Sequence, residues 1–243
     1  MIKKIQVCIS PKLFNLYDDN NSIIVLVDIF RASSTICSAF ENGVKEIIPV
    51  GSVQEAIKLK SKNKEFVLCG ERDGKKVKNF DYGNSPIIFS KKIFVNKTVI
   101  LTTTNGTKSI DIARKCKNIV IGSFLNITSL SNWLINQDKN IIILCAGWKG
   151  KFSLEDTLFA GNLSNILIKA EKHNYSLCDA TINSIYLWNF AKKDKSIFLK
   201  ENASHYDRLK KNHNDDINFC LKDDISTKIP IVSNKSIKLL RNV

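Results

Sequence analysis

The sequence predicts an α/β fold, a layered α/β/α sandwich around a largely parallel or mixed sheet that could divide into two α/β lobes. Three observations predict it. Seven short β-branched apolar runs recur along the 243 residues. Most of them are continuous rather than alternating, the pattern of strands buried on both faces. Segments of helical length and pattern follow several of them, and strand followed by helix, repeated, is the signature of a parallel sheet covered by helices.

In chain order, strands are expected at 5–9, 23–27, 47–50, 66–69, 98–101, 119–121 and 141–145. The run at 23–27 (Ile-Ile-Val-Leu-Val) and the run at 141–145 (Ile-Ile-Ile-Leu-Cys) contain no polar residue at all. Helices are expected at 34–42, 53–60, 107–115, 128–137 and 154–172, the first with Ser33 or Ser34 and the last with Ser153 as capping residue. No repeat, low-complexity tract or Pro/Gly-rich linker interrupts the chain, so 1–243 reads as a single unit whose region from about 192 to 243 is more polar and more irregular.

Composition narrows the function classes. Apolar residues make up 44% and charged residues 25%, which excludes a disordered or fibrous chain. The apolar runs are too short to span a bilayer, and Met1–Ser10 lacks the apolar core of a secretory signal, so a soluble cytoplasmic protein without a membrane partner is expected. Seven scattered cysteines without a C-x-x-C pair read as reduced, buried thiols. Three histidines, at 173, 205 and 213, build no local transition-metal motif. The net charge of +14 suggests a polyanionic partner, but only 5 of the 37 basic residues are arginine and the lysines are spread throughout. A nucleic-acid surface is therefore disfavoured, whereas a field that attracts a small anion is retained.

The chemistry collects where strands end. Asp28 follows the second strand, with Arg31, Ser33, Ser34 and Thr35 just beyond it. That order places a magnesium ligand or base at Asp28, an anion clamp at Arg31, and phosphate-binding hydroxyls at Ser33 and Ser34 at a helix start. The stretch from Gly70 to Pro86 is dense in glycine and charge. It offers Glu71 and Asp81 as cation ligands, Arg72 as a second anion contact, and Asn84 and Ser85 beside the substrate. Thr102-Thr-Thr-Asn-Gly-Thr107 has the make-up of an oxyanion nest, which nominates Thr103, Thr104, Asn105, Gly106 and Thr107. Glu155 and Asp156 either open a capped helix or complete a hard-cation site. Ligands of open α/β sheets bind at such carboxyl ends, and the four loops that follow Asp28, Thr102, Gly122 (Ser123–Asn126) and Gly147 describe a site for a charged, oxygen-rich ligand.

Taken together these motifs resemble the 2-phosphosulfolactate phosphatase family. The resemblance runs in order through Asp28–Thr35, Gly70–Arg72, Phe80–Pro86, Thr103–Thr107, Gly122–Asn126, Cys145–Gly147, Ser153–Thr157 with Ala160-Gly161, Asp179, and more weakly Asp216–Cys220 with Pro230. It departs at Asn79, where glycine is expected, and at Phe30, where leucine is usual. It implies a Mg²⁺-dependent phosphomonoesterase that cleaves (2R)-phosphosulfolactate to sulfolactate and phosphate, a reaction of the coenzyme M route. The substrate would carry phosphate, sulfonate and carboxylate groups. The roles themselves come from residue chemistry. A subset of Asp28, Glu71, Asp81, Glu155 and Asp156 would hold Mg²⁺, while Arg31, Arg72 and the 103–107 loop, with Asn105 as a catalytic group, would hold oxyanions. Three alternatives stay open: another small phosphorylated hydroxy acid as substrate, a phosphoaspartate at Asp28, and a non-enzymatic nucleotide or nucleic-acid binder. Homo-oligomerisation is compatible with every one of them.

Overall fold

The computed structural model describes residues 2–17, 21–204 and 206–240. Strands β1 (Lys3–Cys8), β2 (Ile23–Val27), β3 (Glu46–Pro49), β4 (Val67–Arg72), β5 (Lys75–Lys76), β6 (Thr98–Thr102), β7 (Ile119–Gly122), β8 (Ile141–Cys145), β9 (Tyr175–Leu177), β10 (Pro230–Ser233) and β11 (Ser236–Leu239) form one mixed sheet. The helices are α1 (Ala32–Glu41), α2 (Val53–Lys62), α3 (Gly106–Ala113), α4 (Ile127–Ile135), α5 (Leu154–Lys169), α6 (Asp179–Ala191), α7 (Lys195–Asn202) and α8 (Tyr206–Cys220), the last kinked at His213. The fold is thus the layered α/β sandwich that the strand and helix pattern predicts.

The order across the sheet is β5-β4-β6-β3-β11-β10-β7-β2-β8-β1-β9. Two parallel blocks, β4-β6-β3 and β7-β2-β8-β1-β9, are joined by the antiparallel hairpin β10–β11. The steps β3–β11, β11–β10 and β10–β7 are all antiparallel. An odd number of reversals means that the two blocks run in opposite senses.

The continuous apolar strands follow from burial on both faces. Along β2, Ile23, Val25 and Val27 pack with α5 residues such as Phe159 and Leu163, whereas Ile24 and Leu26 pack with Ile36 and Phe40 of α1. β8 divides the same way, Ile141 and Ile143 to one layer, Ile142 and Leu144 to the other. A smaller cluster, including Ala56, Leu68, Phe80 and Ile100, fills the space between α2 and the β4–β6 side. At roughly 25 cal/mol per Å² of apolar area, such residues supply most of the favourable folding energy.

Three expectations change. Helix α1 begins at Ala32 with Arg31 at the cap position, so Ser33 and Ser34 lie inside the helix rather than capping it. The region 192–240, read as irregular, carries α7, α8 and the hairpin that ties the two blocks together. Its helices are polar on most faces and its strands are half-exposed, so neither hydrophobic period stands out. The fifth expected helix ends at Lys169 rather than 172, because Ala170 closes it and Glu171 turns into the left-handed region at φ 51°.

Candidate active site

A narrow cleft of about 370 Å³, open to solvent, lies where carboxyl ends of both blocks converge. Asp28, Phe30 and Arg31 reach it from the end of β2, and Trp148 from the loop after β8. Glu71 and Gly74 come from the end of β4, Thr103 and Asn105 from the end of β6, and Asn84 from the loop before the 3₁₀ turn at 87–90. Residues that follow strands of both blocks thus line one cleft, although the blocks run in opposite senses within the sheet.

The β2–α1 junction is held by its own residues. The Asp28 carboxylate accepts from the Ala32 amide at 3.2 Å, the Asp28 amide donates to Ser33 Oγ at 3.1 Å, and the Ser33 amide donates to the Asp28 carbonyl at 2.9 Å. Asp28 therefore caps α1 from outside the helix, and satisfies an orphan amide there. Gly106 passes so close that a Cβ on it would lie 2.9 Å from Asp28 Oδ2 and 2.5 Å from the Ala32 methyl. That approach explains the glycine at the start of α3.

Four carboxylates crowd this region. Glu71 accepts from the Thr104 amide at 2.6 Å, the Gly74 amide at 2.7 Å and Thr104 Oγ1 at 3.1 Å. Asp156 accepts from the Ile29 amide at 2.8 Å and the Gly147 amide at 3.1 Å, and so ties the loops after β2 and β8 together. Burial pushes the Asp28 carboxyl up to about 7; the charges of Glu71 and Glu155 add to that, while the Ala32 amide and Arg31 oppose it. Burial, then Glu155 and Asp28, also hold Asp156 well above the ordinary carboxylate range. Buried like charges of this kind mark a site rather than a stabilising device.

Arg31 is the cleft's buried cation. Its Nη1 donates to Asp216 Oδ2 and lies 3.0 Å from His213 Nδ1, while Ser85 Oγ donates to the other Asp216 oxygen at 2.5 Å. His213 Nε2 lies 2.8 Å from the Gly74 carbonyl. A carbonyl only accepts, so Nε2 carries the proton and Nδ1 is the acceptor for Arg31. Burial and the Arg31 charge lower the His213 pKa, which favours this neutral ring.

The chemistry of these donors suits a hard cation. Among the described residues no three Asp, Glu, His or Cys side chains form a ready-made cage. Mg²⁺ does not need one: it is usually held by one or two carboxylates, with waters and substrate oxygens completing its shell. Of about four lone-pair directions on a carboxylate, the bonds above occupy three on Glu71 and one on Asp28. Both line the cleft, and Glu155 and Asp156 stand behind them.

Residues 8–235 match the family described as 2-phosphosulpholactate phosphatase. The chain belongs to that family. It is 36% identical to a probable 2-phosphosulfolactate phosphatase of Clostridium novyi over 93% of this chain and 96% of that protein. It is 37% identical to one of Clostridium kluyveri, over 85% of each. It is also 38% identical to one of Thermotoga petrophila, over 86% of this chain and 88% of that protein. As a member of the 2-phosphosulfolactate phosphatase family the chain is an enzyme of the phosphoric monoester hydrolase class.

Several residues nominated from sequence lie elsewhere. Asp81 accepts from the Leu68 amide at 2.8 Å and faces Lys60 at 3.5 Å, outside the cleft. Arg72 donates to the Glu71 carbonyl at 2.7 Å and Thr102 Oγ1 at 2.8 Å, and lines a different hollow beside the start of α2. Ser33 and Ser34 are fully buried; Ser34 Oγ donates to the Ile29 carbonyl at 2.9 Å, so both hydroxyls brace the loop. Thr107 exchanges hydrogen bonds with Thr103 and is likewise internal. Thr104 holds Glu71, and Ser85 holds Asp216.

The structure also adds residues to those nominated for the site: His213, Trp148, Gly74, and Asp216, which opens the weaker Asp216–Cys220 stretch of the family resemblance. His213 and Asp216 are three apart near the kink of α8 and reach the same guanidinium. That i,i+3 spacing was the available signal.

Proposed function

We propose that this chain hydrolyses a small phosphate monoester carrying further anionic groups, with 2-phosphosulfolactate as first candidate, in a Mg²⁺-dependent reaction. The observation that carries this reading is one cleft that places buried carboxylates and a tethered arginine at converging strand ends, in a chain of this family. Asp28 and Glu71 would hold Mg²⁺, and the ion would neutralise charge on the phosphoryl oxygens.

The chain's own groups do the rest. Arg31 donates to phosphoryl oxygens, where preorganised charge acts with little reorganisation. Asn84 is 4% exposed, and its Oδ1 has no hydrogen-bond partner among the described residues. In this reading that acceptor orients the attacking water, whose proton leaves to solvent as the new P–O bond forms. The ester P–O bond breaks and the leaving oxygen gains a proton from solvent, giving the hydroxy acid and inorganic phosphate.

Selectivity for extra anionic groups has a source next door. A hollow of about 970 Å³ adjoins the cleft through Asn105, and Lys12, Lys108 and Lys149 line it. Lys149 is paired at 3.1 Å with Asp73, which also lines the hollow, and lies 5.6 Å from the centre of the Trp148 ring, so Lys12 and Lys108 supply the hollow's surplus positive charge.

Phosphate release is the test, from phosphosulfolactate beside phospholactate, phosphoglycerates and phosphoenolpyruvate, with Mg²⁺ and with EDTA. The expected result is Mg²⁺-dependent turnover that is fastest on phosphosulfolactate. Preference for another ester would keep the reaction and replace the substrate, equal turnover in EDTA would remove the metal, and silence on all esters would overturn the reading.

A further inference from the structure

We propose that Asp216 and His213 of α8 are positioning residues that hold one edge of the Arg31 guanidinium and so present its other edge to the phosphoryl group. The inference rests on the reading of the cleft as a phosphatase site.

The hydrogen-bond inventory of Arg31 supports it. Nη1 has two hydrogens, and two acceptors stand against it, Asp216 Oδ2 and His213 Nδ1 at 3.0 Å. The contacts of Nη2 are long: 3.4 Å to the Gly74 carbonyl and 3.5 Å to His213 Nε2, which carries its own proton. Neither is a strong bond at that distance. Nη1 is thus committed to α8, whereas Nη2 and Nε remain for a ligand in the cleft that Arg31 lines.

The anchor is itself anchored. Asp216 is buried, Ser85 Oγ donates to its second oxygen at 2.5 Å, and the ion pair with Arg31 is closed to solvent on both sides, at 6% and 9% exposure. His213 is fixed by the Gly74 carbonyl at 2.8 Å, next to the amide that holds Glu71. The loop around Gly74 therefore links the arginine's anchor to a carboxylate of the cleft. Gly74 has φ +82°, where a side chain would be strained, and a Cβ on it would sit 3.4 Å from His213 Nε2, in ordinary contact with the ring.

A merely structural ion pair would lower stability and the active fraction but leave the phosphate inhibition constant of the folded enzyme unchanged. Positioning predicts a coupling instead. D216N should lower kcat/KM for phosphate release about 10- to 100-fold, the range seen for supporting contacts around a site. It should also raise the inhibition constant for inorganic phosphate several-fold. H213Q, which keeps an acceptor, should lose less than H213A. In the R31A background, D216N should change kcat/KM by less than about two-fold, since residues that act through one another are not additive. Should D216N fail to fold, S85A and H213A carry the same cycle against R31A. Equal losses with and without Arg31, or an unchanged phosphate inhibition constant, would overturn the proposal. An inactive wild type would instead sink the phosphatase reading beneath it.

Discussion

Asp28 illustrates how a functional residue works against the fold that contains it. Its carboxyl, at about 7 against an ordinary value of 3.8, keeps its proton in the native state over a range where the unfolded chain has lost it. The native state then binds more protons than the unfolded state, so stability falls as pH rises from about 4 to about 7. D28N removes that penalty. We expect its melting temperature to exceed the wild type's by about 2–6 °C at pH 8 and by less at pH 5, with turnover reduced at least about 1,000-fold. A lower melting temperature at pH 8 would mean that the Asp28 charge stabilises the fold. Mg²⁺ should raise the melting temperature of the wild type and not of D28N, because a ligand stabilises only the state that binds it; equal shifts would take Asp28 out of the ligand set. At this scale the sequence was legible where chemistry and position coincide. Asp28, Arg31 and Glu71 are charged, lie at strand ends, and line the cleft. Arg72, one residue from Glu71, misleads because adjacent residues of a strand point to opposite faces, and its guanidinium points to a different hollow.

Among the elements, the α5–α6 pair makes the sharpest demand on sequence. Gly161 of α5 lies so close to α6 that a Cβ would fall 1.9 Å from the Ser184 carbonyl oxygen. G161A must push α6 away, and overpacking of this kind typically costs about 1–3 kcal/mol. We expect denaturant unfolding to show that loss, with kcat of the folded enzyme within about two-fold of wild type, because α6 contributes nothing to the cleft lining. A larger fall in kcat would show that α5, whose first turn holds Glu155 and Asp156, transmits the shift to the site. The elements read most clearly from sequence, β2 and β8, are those buried on both faces, since continuous apolar runs have one structural use in a chain of this size. Helix α8 is the opposite case: its residues are mostly polar, and although Tyr206, Ile217 and Cys220 enter the core, no continuous apolar run marks it.

At the scale of the whole molecule, the +14 charge and the lysine-lined hollow create a field that collects small anions. Raising ionic strength from about 20 to about 300 mM shortens the screening length to below about 6 Å. It should lower kcat/KM for phosphosulfolactate about 3- to 10-fold through KM, and less for phosphate esters with fewer charges. Salt-sensitive binding to a polynucleotide with no effect on KM would favour the nucleic-acid alternative instead. No described helix is long and apolar enough to cross a membrane. By itself the sequence determined the sandwich class, the principal strands, and the ordered loop motifs that lead to the family, because burial pattern and strand-end chemistry are local and periodic. Only the tertiary structure decided that two oppositely directed strand blocks face one cleft, that Asp81 and Arg72 fall outside it, and that α8 reaches back to hold Arg31. Those facts depend on the β10–β11 hairpin inserted between β3 and β7 and on contacts up to 185 residues apart, and no local period in a chain encodes separations of that length.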